Sequence, residues 1–353
     1  MIHYSMKYQL ITIILLICLL TSSCASKKEI VASNFESKTI STEKMSCRAI
    51  LVDDEKVWMG LDKGSYGFYD KVKDTFVIKA IASVSSSTEF RSIAATKESI
   101  FVLAVGNPAV LLKIDKKSLK ETIVYKEENE KVFYDSMQFA DDLNGFAMGD
   151  PTEDCLSFIK TNDGGHSWAK ISCINLPKVA FGEAAFATSN SNLIVKGQSI
   201  FMVSAGKKSR VFVSNDFGIS WNVYETPIVQ GEEMTGIFTA DFYNEKIGCI
   251  AGGNYMKQDQ NWANKAITQD GGKTWTLLAE KEGFGYASCI QFVPNSKGKR
   301  LISIGGTGMF YSADTGKTWV KFADDQDFFT FRFESDTTFY AAGRNKFVRF
   351  TIK

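Results

Sequence analysis

Arginine is scarce in this chain, so its placement carries information. Beyond residue 34 there are seven, and three sit in strings that read alike: Arg48 in CRAI (47–50), Arg91 in FRSI (90–93) and Arg332 in FRFE (331–334). Planar guanidinium forks at matching places suit a carboxylate, a phosphate or an acidic peptide. Asp135 holds the matching place in YDSM (134–137), and Glu183 of EAAF (183–186) falls one residue before it. These five residues are the candidate ligand-binding set, basic on one side and acidic on the other. The same set also has a purely architectural reading, in which Arg91 pairs with Asp135 on the neighbouring segment and strand ends are merely neutralised.

Other chemistry finds little support. The chain has two histidines, His3 and His166. A Ser-His-Asp or Cys-His arrangement therefore runs through His166 alone, and that residue lies in a turn. No CxxC pair offers a zinc site, so no metal is expected. The GKT strings at 272–274 and 316–318 lack the glycine five places earlier that a phosphate loop needs, having Ile267 and Tyr311 there. No GxGxxG opens a helix after a strand, and no cofactor is expected. A formal net charge of +1 supplies no field to attract nucleic acid.

The elements that must position these residues are repeats. TNDGGHSW (161–168), SNDFGISW (214–221), TQDGGKTW (268–275) and SADTGKTW (312–319) share Ser/Thr-x-Asp-x-Gly-x-x-Trp, the Asp-box. Asp163, Asp216, Asp270 and Asp314 are expected to accept backbone N–H bonds of their own turn. Gly165, Gly218, Gly272 and Gly316 supply a backbone that a Cβ disfavours. Trp168, Trp221, Trp275 and Trp319 return as apolar plugs. The spacing is that of propeller blades. A second series gives the blade count. Seven apolar strands end at Gly60, Gly106, Gly149, Gly206, Gly252, Gly305 and Gly343, each preceded by a further short strand. Strand, strand with glycine, then a hairpin is the four-stranded blade of a β-propeller. The fold class is thus all-β, one seven-bladed propeller over 35–353. Its last blade is one strand short, and FESKTIS (35–41) is predicted to complete it and close the ring.

Residues 1–23 read as a leader: Lys7, then the apolar run LITIILLICLL (10–20), too short to span a bilayer. TSSC (21–24) resembles the bacterial lipobox, which implies acylation of Cys24, a membrane anchor and a tether over 24–34. That places the protein at the cell envelope. Cys155 and Cys173 are equidistant from residue 164, which sets them opposite each other across the third and fourth strands of blade 3. A disulfide is expected there, in keeping with an oxidising compartment. Cys47, Cys249 and Cys289 read as core residues.

Asp-boxes occur in sialidases, in sortilin-type receptors and in propellers of the photosystem II stability/assembly factor type. The early VWMG strand, the seven blades and the repeated TxDGGxxW turns resemble the last group over about 41–353. That resemblance implies a noncatalytic, membrane-held scaffold for a protein partner, expected to be monomeric. The sialidase resemblance implies instead a glycoside hydrolase or a glycan-binding propeller. Against it, the chain has no Arg-Ile-Pro; its nearest string is FRSIAA (90–95). A hydrolase of this kind needs two opposed carboxylates.

Overall fold

The structure, a computed structural model, describes residues 34–353; the leader, Cys24 and most of the tether lie outside the described residues. The described chain is all-β, with seven sheets arranged as blades in a ring. Each innermost strand neighbours those of the two adjoining blades, and blade 7 adjoins blade 1. The innermost strands are Cys47–Val52, Phe90–Ala95, Tyr134–Phe139, Leu193–Lys196, Thr235–Phe242, Ala287–Phe292 and Phe328–Phe333. Phe35–Ser41 runs antiparallel to Phe347–Ile352 as the outer strand of blade 7.

The second strands show why the chain folds this way. Ser99–Ala104 and Gly145–Gly149 are buried at every position, because each blade is covered on both faces by its neighbours. The core is therefore a set of wedges between blades. Trp58 and Phe68 of blade 1 pack with Ile93, Val102 and Leu112 of blade 2. Phe101 and Leu111 of blade 2 pack with Met137, Ile159 and Trp168 of blade 3. Outer strands such as Thr75–Ala80 are more exposed, with no fully buried position, and only Phe76 and Val77 of this one reach the core.

The four repeated turns have one hydrogen-bond scheme. Asp216 accepts from Ile219 N, Ser220 N and Ser220 Oγ at 3.1, 2.8 and 2.6 Å, while Ser214 Oγ donates to it at 2.7 Å. The Ser220 hydroxyl is the main reason its carboxyl is held down at about 2. The turn is pressed on the preceding blade: a Cβ on Gly165 would overlap the Phe101 ring of blade 2. Blades 1 and 2 lack the repeated turn yet keep its carboxylate. Asp70 accepts from Val72 N and Lys73 N, and Asp115 from Lys117 N and Ser118 N.

Cys155 and Cys173 are joined by a disulfide, with Cα atoms 5.5 Å apart. Neither lies within a strand of the hairpin. The third and fourth strands of blade 3 are Ser157–Thr161 and Ala169–Lys170, and Cys173 opens a 3-10 turn beyond them. Their register pairs Ile159 with Lys170, one residue off the pairing that a turn centred on residue 164 implies.

Blade 4 departs from expectation. Its innermost strand is Leu193–Lys196, not EAAF. Glu183–Ala184 forms a two-residue strand that pairs with Ala205–Gly206 and so joins the sheet of blade 5. The intervening segment enters the central channel. Ser189 Oγ donates to Ser288 O of blade 6 at 2.7 Å, and Thr330 Oγ1 of blade 7 donates to Ser189 O at 3.2 Å. Asn190 donates to Ile93 O of blade 2 and accepts from Met137 N of blade 3, both at 2.8 Å. Ser191 Oγ meets Thr239 Oγ1 of blade 5 at 2.8 Å. Three consecutive residues reaching five blades can do so only on the ring axis. This plug separates the channel into two mouths, one where the innermost strands begin (the N-mouth) and one where they end (the C-mouth).

Candidate functional site at the channel mouths

Six of the seven innermost strands carry a register shift at their second or fourth residue, always between the same equivalent positions. The bulged residues are Arg48, Arg91, Asp135, Phe238, Ser288 and Phe329. A bulge re-aims its side chain and bends the strand. Two residues before the bulge a backbone carbonyl lies against the second strand, where a Cβ on Gly149 or Gly343 would overlap Phe133 O or Asp327 O. Gly149, Gly252, Gly305 and Gly343 are thus the counterpart of the bulge, whereas Gly106 has open space beside it and Gly206 belongs to the strand that joins blade 5.

This register sorts the five candidate residues. Arg48, Arg91 and Asp135 do share one ring position. Arg332 does not: its strand begins at Phe328, so Phe329 is the equivalent of Arg48, and Arg332 falls three residues further along at the C-mouth. Matching FRFE to FRSI by its arginine mistook the register. Arg332 is a clamp on the plug, donating through Nη2 to Ser189 O and Asn190 O at 2.9 and 2.8 Å and through Nη1 to Phe331 O at 2.7 Å. Glu183 is likewise not part of the innermost ring. It is buried and accepts from Arg210 Nε at 2.9 Å, Arg210 Nη2 at 2.5 Å and Ser204 Oγ at 2.5 Å.

Arg91 does not pair with Asp135. Its Nε and Nη2 donate to Glu89 at 2.8 and 2.6 Å. Asp135 is fully buried with no hydrogen-bond partner on either oxygen. Burial pushes its carboxyl well above the usual range, the charge of Asp150 adds to this, and Arg91 opposes it. Asp150 accepts from Ala185 N at 2.7 Å and so ties blade 3 to the start of the plug.

Arg48 is different. Its guanidinium lies 4.0 Å from the centroid of the Phe329 ring and, among the described residues, makes no ion pair. Burial and the nearby charge of Arg91 hold its pKa below the usual arginine value. It lines an N-mouth cavity of about 200 Å³ together with Tyr255, Tyr286, Phe329, Asp327 and Arg344. The walls continue as an aromatic cluster in which Phe186 of the plug stacks on Phe238 at 4.2 Å, and Tyr286 meets Phe238 and Tyr255 edge-on at 4.8 and 5.2 Å. Exposed Met256 follows Tyr255 on the same loop. Tyrosine, phenylalanine, methionine and arginine are the residues enriched where proteins bind proteins.

The aromatic part of this site was missed in sequence. Phe186, Tyr255 and Tyr286 come from three separate loops, and a plug made of Thr188, Ser189, Asn190, Ser191 and Asn192 reads as an ordinary polar loop. The one available signal was that run of five small polar residues between two apolar strands. Each of the two mouth cavities is lined by a single carboxylate, Asp327 in one and Asp241 in the other. Neither lining provides the facing pair that glycoside hydrolysis uses. No cluster of metal-ligating side chains occurs among the described residues.

No family model matches the sequence, and no curated protein matches it. Solved structures do resemble the fold. YCF48 bound to a D1 peptide has a TM-score of 0.65 at 12% identity, over 91% of this chain and 97% of that one. YCF48 from Cyanidioschyzon merolae has 0.65 at 10%, over 89% and 98%. The U3-55K structure has 0.65 at 11%, over 90% and 98%. At these identities the likeness establishes the β-propeller fold that the chain shares with all three.

Proposed function

We propose that this protein is a noncatalytic binding propeller, held at the bacterial cell envelope by a lipid on Cys24, that grips an acidic segment of a protein partner at its N-mouth. The observation that carries this reading is Arg48, a guanidinium without an acidic partner, stacked on Phe329 in an aromatic-walled cavity that also holds Arg344. A half-buried cation without a counter-charge is costly in the free protein and gains from an incoming carboxylate. That a solved propeller of this fold binds a D1 peptide supports a peptide as the class of ligand.

The test is capture of partners from envelope extracts by the native protein and by an Arg48→Ala/Arg344→Ala variant. The reading expects the variant to keep its thermal unfolding midpoint within a few degrees and to lose its partner at least tenfold. Retention of the partner would dismiss the N-mouth. For the anchor, Cys24→Ser should move the protein from the membrane fraction to the soluble one.

A further inference from the structure

The C-mouth holds a second cavity, of about 430 Å³, floored by Asn190 and Ser191 of the plug. Because the plug separates the mouths, this bowl is independent of the N-mouth site. Its polar groups lie mainly on blades 3 to 6. Lys196 ends the innermost strand of blade 4, and its ammonium makes no ion pair or hydrogen bond among the described residues, though its charge acts on Asp241 across the bowl. Gln138 uses its carbonyl oxygen on Val195 N at 2.8 Å, which leaves its NH₂ group unengaged. The Gln291 amide has no partner among the described residues. Asp241 spends one oxygen on Phe292 N at 2.8 Å. Both terminal nitrogens of Arg332 are committed, as described above.

The bowl is therefore rich in unused donors and poor in unused acceptors. Its charge is one net positive, Lys196 and Arg332 against Asp241. Blades 1 and 2 line it with apolar groups alone, Leu51, Val52 and Ala95 among them, and Phe333 of blade 7 continues that wall. A cavity of this size with a few convergent polar groups and an apolar wall is of the kind that takes small ligands.

We infer that the C-mouth binds a small amphipathic carboxylate, with its anionic head on Lys196 and the Gln138 amide and its apolar body against Val52 and Phe333. A monoanion matches the single net charge, whereas a phosphate monoester dianion would bring excess charge beside Asp241. The carboxylate comes either from a free organic acid or from the C-terminal residue of a peptide; both present the same head group.

Isothermal titration of the detergent-solubilised full chain separates these sources, using 4-phenylbutyrate, N-acetyl-Gly-Phe and the C-terminal amide of that dipeptide. Binding of 4-phenylbutyrate alone supports a free acid, and binding of the dipeptide acid but not its amide supports a chain end. In either case Lys196→Met should weaken binding at least tenfold, Lys196→Arg should restore most of it, and Arg48→Ala should leave it unchanged. Lack of binding by both acids at millimolar concentration overturns the inference. So does equal binding of the amide, or full affinity in Lys196→Met with Gln138→Leu also silent. The Arg48→Ala arm keeps this outcome separate from the fate of the N-mouth reading.

Discussion

Asp150 shows how burial sets the behaviour of one carboxyl. Burial pushes it up to about 6, and the Ala185 N–H bond pulls the other way. With a folded value above the unfolded one, the native state binds the extra proton between about pH 4 and 6. The associated stability is present below that window and is lost as pH rises through it. Asn keeps an oxygen for Ala185 N–H and carries no charge. Asp150→Asn is thus expected to raise stability at pH 8 by about 2–3 kcal/mol and to leave it nearly unchanged at pH 4. Urea denaturation at the two pH values checks this; equal gains at both would dismiss the assignment. The sequence marked Asp135 as a channel residue, and the register agrees. That it is buried without a hydrogen bond, and that Arg91 turns to Glu89, depends on distances between blades, which residue types do not encode.

Among elements, the plug and the bulges matter most. Asn190 is the hub of the plug, and truncating it leaves Ile93 O and Met137 N unpaired in the interior. Each such group costs about 1–3 kcal/mol, so Asn190→Ala is expected to lose about 2–4 kcal/mol. Equilibrium unfolding measures the loss, and a change under 1 kcal/mol would mean that these bonds do not hold the plug. The repeated turns were legible because their chemistry is local, confined to seven consecutive residues such as Ser214 to Ser220. The plug was not legible, because its partners lie 48 to 143 residues away. Arg332 illustrates a related limit. Where a strand begins decides which mouth a side chain reaches, and a shift of three positions moved it from one to the other.

For the whole molecule, stability rests on closure. Phe35 begins the closing strand and stacks on Phe322 of blade 6 at 3.9 Å, so the last strand also ties blade 7 to its neighbour. A chain that starts at Glu43 would expose Phe347–Ile352 as an unpaired edge. Such a truncation is expected to broaden thermal unfolding and to form multimers on size exclusion. A sharp transition and a monomeric peak would show that the other six interfaces suffice.

Repeat period, most of the terminal glycines and the four repeated turns were enough to specify seven four-stranded blades and their order, because each rests on hydrogen bonds or steric demands a few residues apart in the chain. Which side chains share a mouth, which of them are already paired, and that a polar segment closes the axis were settled by folding. Those relations join blades that are adjacent in space and remote in sequence, and their energies depend on burial that arises once the ring is complete.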